Sequence, residues 1–130
     1  MRLRYKLILL INKRKMLRNY CVTYVPCPPR GVVRAYYNTF ELGKLIVFID
    51  ETEITLLSIV IHPLFRGKGV GRRLIQRMIH QFEKGPFVCI KGKVGHDAVR
   101  GFYSKLDFTV DAQGNIYRSL EISNAENDPI

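Results

Sequence analysis

The chain has 130 residues, 47% hydrophobic and 25% charged, enough for one domain (1–130) with a real core and too few for a second. Its longest early apolar run, Leu7 to Ile11, is far below the ~20 residues of a membrane span and too short for a signal-peptide core, so a cytoplasmic protein without a membrane segment is expected. Cys21, Cys27 and Cys89 are odd in number and lack Cys-x-x-Cys spacing, which argues for free thiols and against a disulfide framework or a zinc site.

Met1 to Lys15 alternates basic and apolar residues and fits a strand, a short amphipathic helix or a disordered lead; Met16, directly after Lys13-Arg14-Lys15, is an alternative start. Asn19 to Val25 reads as a first strand rich in β-branched and aromatic residues, and Pro26 to Gly31 as the loop that closes it. Val32 to Phe40 and Leu45 to Ile49 read as the second and third strands, with Asp50 to Glu53 a polar turn. Ile54, Leu56, Leu57, Ile59, Val60 and Ile61 then form a near-continuous apolar run, as expected of a strand buried on both faces, and Pro63 ends it. Gly67, Gly69 and Gly71 allow a tight turn and a close approach to a ligand. A helix starts at about Gly69 to Gly71, because Leu74, Ile75, Met78, Ile79 and Phe82 recur at helical spacing.

Lys84-Gly85-Pro86 breaks that helix, and Phe87 to Val94 alternates as a strand. Strand, helix and strand in this order predict a right-handed crossover between parallel neighbours. Asp97 fits the N-cap of a short helix with Ala98, Phe102 and Leu106 on one face. Phe108 to Asp111 and Ile116 to Ile122 read as two last strands around Ala112 to Asn115, and the tail from Asn124 is polar. The fold class is α/β with α+β character: a mixed sheet of six to seven strands, a central parallel strand–helix–strand unit and few helices.

A glycine-rich turn opening a helix is a site for phosphate, since unpaired N–H groups and the positive end of the dipole face the ligand. The spacing excludes two familiar kinds: no Gly-x-x-x-x-Gly-Lys-Ser/Thr is present, and alternating glycines do not make Gly-x-Gly-x-x-Gly. Arg66-x-x-Gly69-x-Gly71 after a strand and x-Pro resembles the acetyl-CoA pyrophosphate loop of the GNAT superfamily of N-acetyltransferases. Asp97-Ala98-Val99-Arg100-Gly101-Phe102-Tyr103-Ser104-Lys105-Leu106-Asp107-Phe108 is similar to that family's Asn-x-x-Ala-x-x-Phe-Tyr-x-x-Leu-Gly-Phe segment. Here Asp97 replaces an Asn that contacts the cofactor in many members, and Asp107 replaces a Gly. The resemblance covers Ile54 to Phe108.

The resemblance implies an enzyme that moves an acetyl group from acetyl-CoA to an amine by direct attack in a ternary complex. It implies that Gly67, Lys68, Gly69, Val70, Gly71 and Arg72 cradle the pyrophosphate, with Arg66, Lys68 and Arg72 adding charge, and that the backbone of Ile59, Val60 and Ile61 holds the pantetheine amides. Tyr103, by its place in the Phe-Tyr segment, is the candidate acid for the departing thiolate, and Glu53 and His62 at the ends of the central strand are the candidate bases. Family members place two helices between the first and second strands; here only the Pro-rich loop stands there, which implies a shallow or open acceptor site.

The net charge of +10 is polarised: residues 1–40 hold nine Lys or Arg and no acid, residues 107–130 five acids and one base. A basic N-terminal half allows nucleic acid, an acidic protein or CoA itself as partner, and keeps open a non-catalytic CoA-binding module that docks through this end. The amine acceptor, protein or small molecule, is not specified by the sequence.

Overall fold

A computed structural model describes residues 12–94 and 100–120. Residues 12–19 form helix α1, followed by strands β1 (Cys21–Cys27), β2 (Arg30–Tyr37), β3 (Phe40–Ile49) and β4 (Glu53–Ile61). A 3₁₀ turn at Pro63–Phe65 leads into helix α2 (Val70–Phe82), then come β5 (Cys89–Lys93), helix α3 (Arg100–Ser104), β6 (Thr109–Val110) and β7 (Asn115–Ser119). The lead up to Ile11, the Asp97 cap with Ala98, the end of the last predicted strand and the tail from Asn124 lie outside the described residues.

The seven strands form one mixed sheet in the order β1-β2-β3-β4-β5-β7-β6. All neighbours are antiparallel except β4 and β5, which α2 joins as the crossover predicted from the sequence. Leu74, Ile75 and Met78 of α2, all fully buried, share one core with Val33, Leu45, Val47, Ile54, Leu56 and Ile90. Each such side chain contributes about 1.5–3 kcal/mol of hydrophobic stabilisation. α1 shares this side: Met16 and Tyr20 are buried in the same core, and the Arg73 guanidinium of α2 stacks 4.3 Å above the Tyr20 ring.

The second strand read as Val32 to Phe40 ends at Tyr37, with Asn38-Thr39 turning into β3 at Phe40, and two further elements differ from the sequence reading. Pro26 to Gly31 is not a loop: Pro26 pairs with Gly31 and Cys27 with Arg30, leaving only Pro28-Pro29, joined by a cis peptide bond, to turn the chain. β1 is the edge of the sheet, where a proline leaves no ladder partner unpaired. Nor is β4 buried on both faces. Its register with β3 slips, pairing Ile46 with Ser58 but Val47 with Leu56, so that Leu57 bulges. The extra residue shifts the alternation. Ile54 and Leu56 turn inward before it, and Ile59 and Ile61 pack on the core after it, while Leu57 and Val60 stand 48% and 54% exposed on the other face. Val25, Phe48 and Tyr117 are exposed as well, and no described helix covers that outer face.

Candidate cofactor and acceptor site

β4 and β5 are hydrogen-bonded only from Glu53↔Cys89 to Leu56↔Gly92. Beyond that pair β4 runs on to Ile61 with β3 as its sole neighbour, and β5 follows β7 instead. The two parallel strands therefore part in a V whose apex is Leu56 and Gly92. Gly92 suits this point, since a Cβ there would lie 3.0 Å from the Leu56 carbonyl oxygen.

The direction of the free backbone follows from the antiparallel alternation. His62 N–H donates to the Leu42 carbonyl at 2.8 Å, making that pair a hydrogen-bonded one. In register with it, Val60↔Lys44 is also hydrogen-bonded, and Ile61↔Gly43 and Ile59↔Leu45 are not. The N–H and C=O groups of Ile59 and Ile61 thus point into the gap, whereas those of Val60 are spent on β3. This separates Val60 from the other two residues proposed for the strand edge. Arg66 confirms the direction of one group: its Nε donates to the Ile61 carbonyl at 3.1 Å.

At the top of the V lies the glycine loop. Gly67 and Gly69 have φ of 72° and 86°, left-handed values that suit glycine, and a Cβ on either would meet nothing within 4 Å. Gly69 is the N-cap of α2 and has no side chain to cap it. The first helical hydrogen bond runs from Arg73 N–H to the Gly69 carbonyl, so the N–H groups of Val70, Gly71 and Arg72 have no partner within the helix. These groups, the dipole and the exposed Arg66, Lys68 and Arg72 make a cradle with the chemistry an anionic phosphate requires. Gly71 plays another part. Its φ is not positive, and its missing Cβ faces Phe102 at 3.5 Å and Ile59 and Ile61 at 3.8 Å, so on that side it lets α2 pack close to α3 and β4 while its N–H stays with the cradle.

Phe102, unremarked as a site residue in the sequence, ties the loop to α3. It lies against Gly71, and its ring meets Tyr103 edge-on at 5.1 Å. Tyr103 is 5% exposed, and burial raises its phenol above the usual tyrosine range. No buried polar side-chain atom among the described residues lacks a partner, and the Tyr103 hydroxyl bonds to none of them, so its oxygen keeps contact with solvent. The backbone holds this tyrosine in place: Phe108 N–H donates to the Tyr103 carbonyl and Asp107 N–H to that of Ser104, with the Tyr103 and Phe108 rings 5.7 Å apart. That pattern is a Schellman cap with Asp107 in its left-handed position, φ 68°. Here the physical reason for a glycine in the family's motif becomes visible.

The candidate bases differ in their commitments. His62 is taken up by structure: its Nδ1 accepts from Leu64 N–H at 3.1 Å, capping the 3₁₀ turn, and its ring packs against Phe40 and Phe65. Glu53 sits three residues below the apex, ~10 Å along the strand, and bonds Lys91 Nζ at 2.5 Å. That bond to Glu53 raises the Lys91 ammonium above its ordinary range. Lys91 lines an open cleft of about 510 Å³ at the apex on the outer face, together with Thr55, Leu57, Lys93, Asn115 and Tyr117. Neither the cleft nor its lysines is legible in the sequence, where Phe87 to Val94 shows only alternation. Asn115 is fixed from behind by Asp111, whose carboxylate is held below the usual range chiefly by the Asn115 side chain and accepts two backbone N–H groups besides. Asp97, the remaining candidate, lies outside the described residues.

Residues 29–110 match the sequence profile described as an acetyltransferase (GNAT) domain. The N-alpha-acetyltransferase RimI of Mycobacterium tuberculosis is 27% identical over 85 residues, which cover 65% of this chain and 51% of that protein. The chain spans about half the length of the curated relatives it matches. The ribosomal-protein-S18-alanine N-acetyltransferase of Escherichia coli superposes with a TM-score of 0.63 at 17% identity, covering 73% of this chain and 72% of the other. The PaiA N-acetyltransferase of Thermoplasma acidophilum, crystallised in complex with coenzyme A, superposes with a TM-score of 0.61 at 18% identity over 68% and 59% of the two chains.

Proposed function

The chain belongs to the GNAT acetyltransferase family, and on that premise we propose that it is an acetyl-CoA-dependent N-acetyltransferase of the cytoplasm. The observation that carries the reading is the V: two backbone edges, at Ile59 and Ile61, face a gap that opens beneath the unpaired N–H groups of α2. In this reading the N–H groups from Gly67 to Arg72 hold the pyrophosphate, Ile59 and Ile61 pair with the pantetheine amides, and Arg66 gives up the Ile61 carbonyl to reach the phosphates. The PaiA complex with coenzyme A supports the assignment of the cofactor.

Bound acetyl-CoA would supply a thioester carbonyl at the apex; an amine then gains the acetyl group as N–C forms, C–S breaks, the ammonium loses a proton and the thiolate takes one up. Tyr103 is our candidate for that last proton. Its raised pKa keeps it protonated at neutral pH, and because a phenol near pKa 10 is a weaker acid than a thiol near 8.5, the transfer depends on position. For the ammonium proton we favour Glu53, acting across ~10 Å through ordered water, over His62, whose Nδ1 already accepts a hydrogen bond.

Calorimetric titration with acetyl-CoA, CoA and a nucleotide control tests the reading. Both CoA forms should bind at one site. Gly69→Glu, which puts a carboxylate in the cradle, should weaken binding about 100-fold or more, whereas Gly69→Ala, with the same backbone strain and no charge, should cost about tenfold or less. No binding at about 1 mM ligand would overturn the proposal, and equal losses in the two variants would remove the cradle from it.

A further inference from the structure

Resting on the acetyltransferase reading, we propose that the acceptor is a peptide carrying an acidic side chain within a few residues of its reacting amine, selected by Lys93. In this reading the amine arrives through the cleft at the apex, which opens on the outer face that no described helix covers. Its walls combine two kinds of surface. Leu57 and Tyr117, 48% and 47% exposed, offer apolar contact for peptide side chains, and Lys91 and Lys93 project from one side of β5. Their charges are not equivalent. Lys91 is neutralised by Glu53, while no carboxylate pairs with Lys93 among the described residues. The Asp111 carboxylate, beyond Asn115, has its oxygens occupied by the turn that it caps.

The rest of the face has the same sign: in register Lys44 stands opposite Val60 and Arg30 opposite Phe48, and Glu41 is bound to Arg34. An acceptor bearing a carboxylate therefore meets an unneutralised ammonium beside the reacting amine, and a basic one meets repulsion. A peptide fits better than a nucleic acid, because affinity for a polyphosphate backbone comes from many cationic contacts in a row, whereas the cleft itself presents one uncompensated charge flanked by apolar surface. A chain rather than a small amine is indicated by the direct β1–β2 turn, which places no helix over this side of the sheet.

The test uses two fluorescent peptides of one length, differing only in Asp-Glu or Lys-Lys at positions two and three. Transfer is followed by released thiol and binding by anisotropy in the presence of CoA, with wild type, Lys93→Glu and Lys93→Arg. Wild type should favour the acidic peptide about fivefold at about 50 mM salt, with the preference shrinking at about 300 mM. Lys93→Glu should abolish or invert the preference and Lys93→Arg keep it, all three proteins retaining the same KM for acetyl-CoA. Equal use of both peptides, a preference unmoved by Lys93→Glu, turnover of small amines only, or displacement of the acidic peptide by a single-stranded oligonucleotide at equal concentration would each overturn the proposal. If acetyl-CoA itself fails to bind, the acetyltransferase reading falls and this proposal with it, an outcome distinct from binding without selection.

Discussion

The two halves of β4 contain the same kinds of side chain and behave differently. From Glu53 to Leu56 the strand has a neighbour on each side, and Ile54 and Leu56 are closed into the core. From Leu57 to Ile61 it keeps β3 alone, and every second backbone unit is left facing a gap. Side chains do not create the contrast, since Ile59 and Ile61 also pack inward. What changes is where the backbone hydrogen bonds go. One half is structural because its polar groups are paired on both sides, and the other has backbone groups at Ile59 and Ile61 that no neighbouring strand takes up.

The largest effect that would separate the halves is on stability. Ile54→Ala, at a fully buried position in the paired half, should cost about 3–4 kcal/mol, and Ile59→Ala, half-buried beside the gap, about 1–2 kcal/mol. Denaturant unfolding measures both, and equal costs would mean that the halves are not distinct. Next in size is a change confined to chemistry: Tyr103→Phe should lower kcat about 100-fold with CoA binding and unfolding midpoint nearly unchanged, because only the hydroxyl is lost. Normal turnover would remove Tyr103 from the mechanism. The smallest has the opposite sign. Asp107→Gly relieves a left-handed backbone at the cap of α3 and should raise stability by about 0.5–1 kcal/mol while leaving transfer alone. A loss of stability there would show that the Asp107 side chain has a role the cap does not explain.

Much of the paired architecture was legible in the sequence, because α2, the glycine loop and the crossover rest on local signals: helical spacing, turn residues and an apolar run. The departures share a cause. Pro26 lies in a strand because that strand is the edge of the sheet, and sheet order is not a local property. Leu57 and Val60 read as buried because a bulge, which depends on the partner's register, is invisible in one strand. Gly71 reads like Gly69, and only the position of Phe102 shows that its missing Cβ also serves packing. The site followed the same division. Gly69 lies in the turn that the glycine spacing predicts, while the commitments of His62 and Val60, and the distinction between Lys91 and Lys93, depend on which groups other elements bring near.

The outer face, which no described helix covers, has a thermal consequence. Leu57, Val60, Phe48 and Tyr117 keep their hydration shells in the folded protein, so unfolding creates less new apolar hydration than it does for a sheet covered on both sides. The heat capacity change of unfolding should then lie below the ~12–15 cal/mol/K per residue usual for globular proteins, giving a shallower dependence of stability on temperature. A partner that covered these side chains would bind with a negative heat capacity change of the corresponding size.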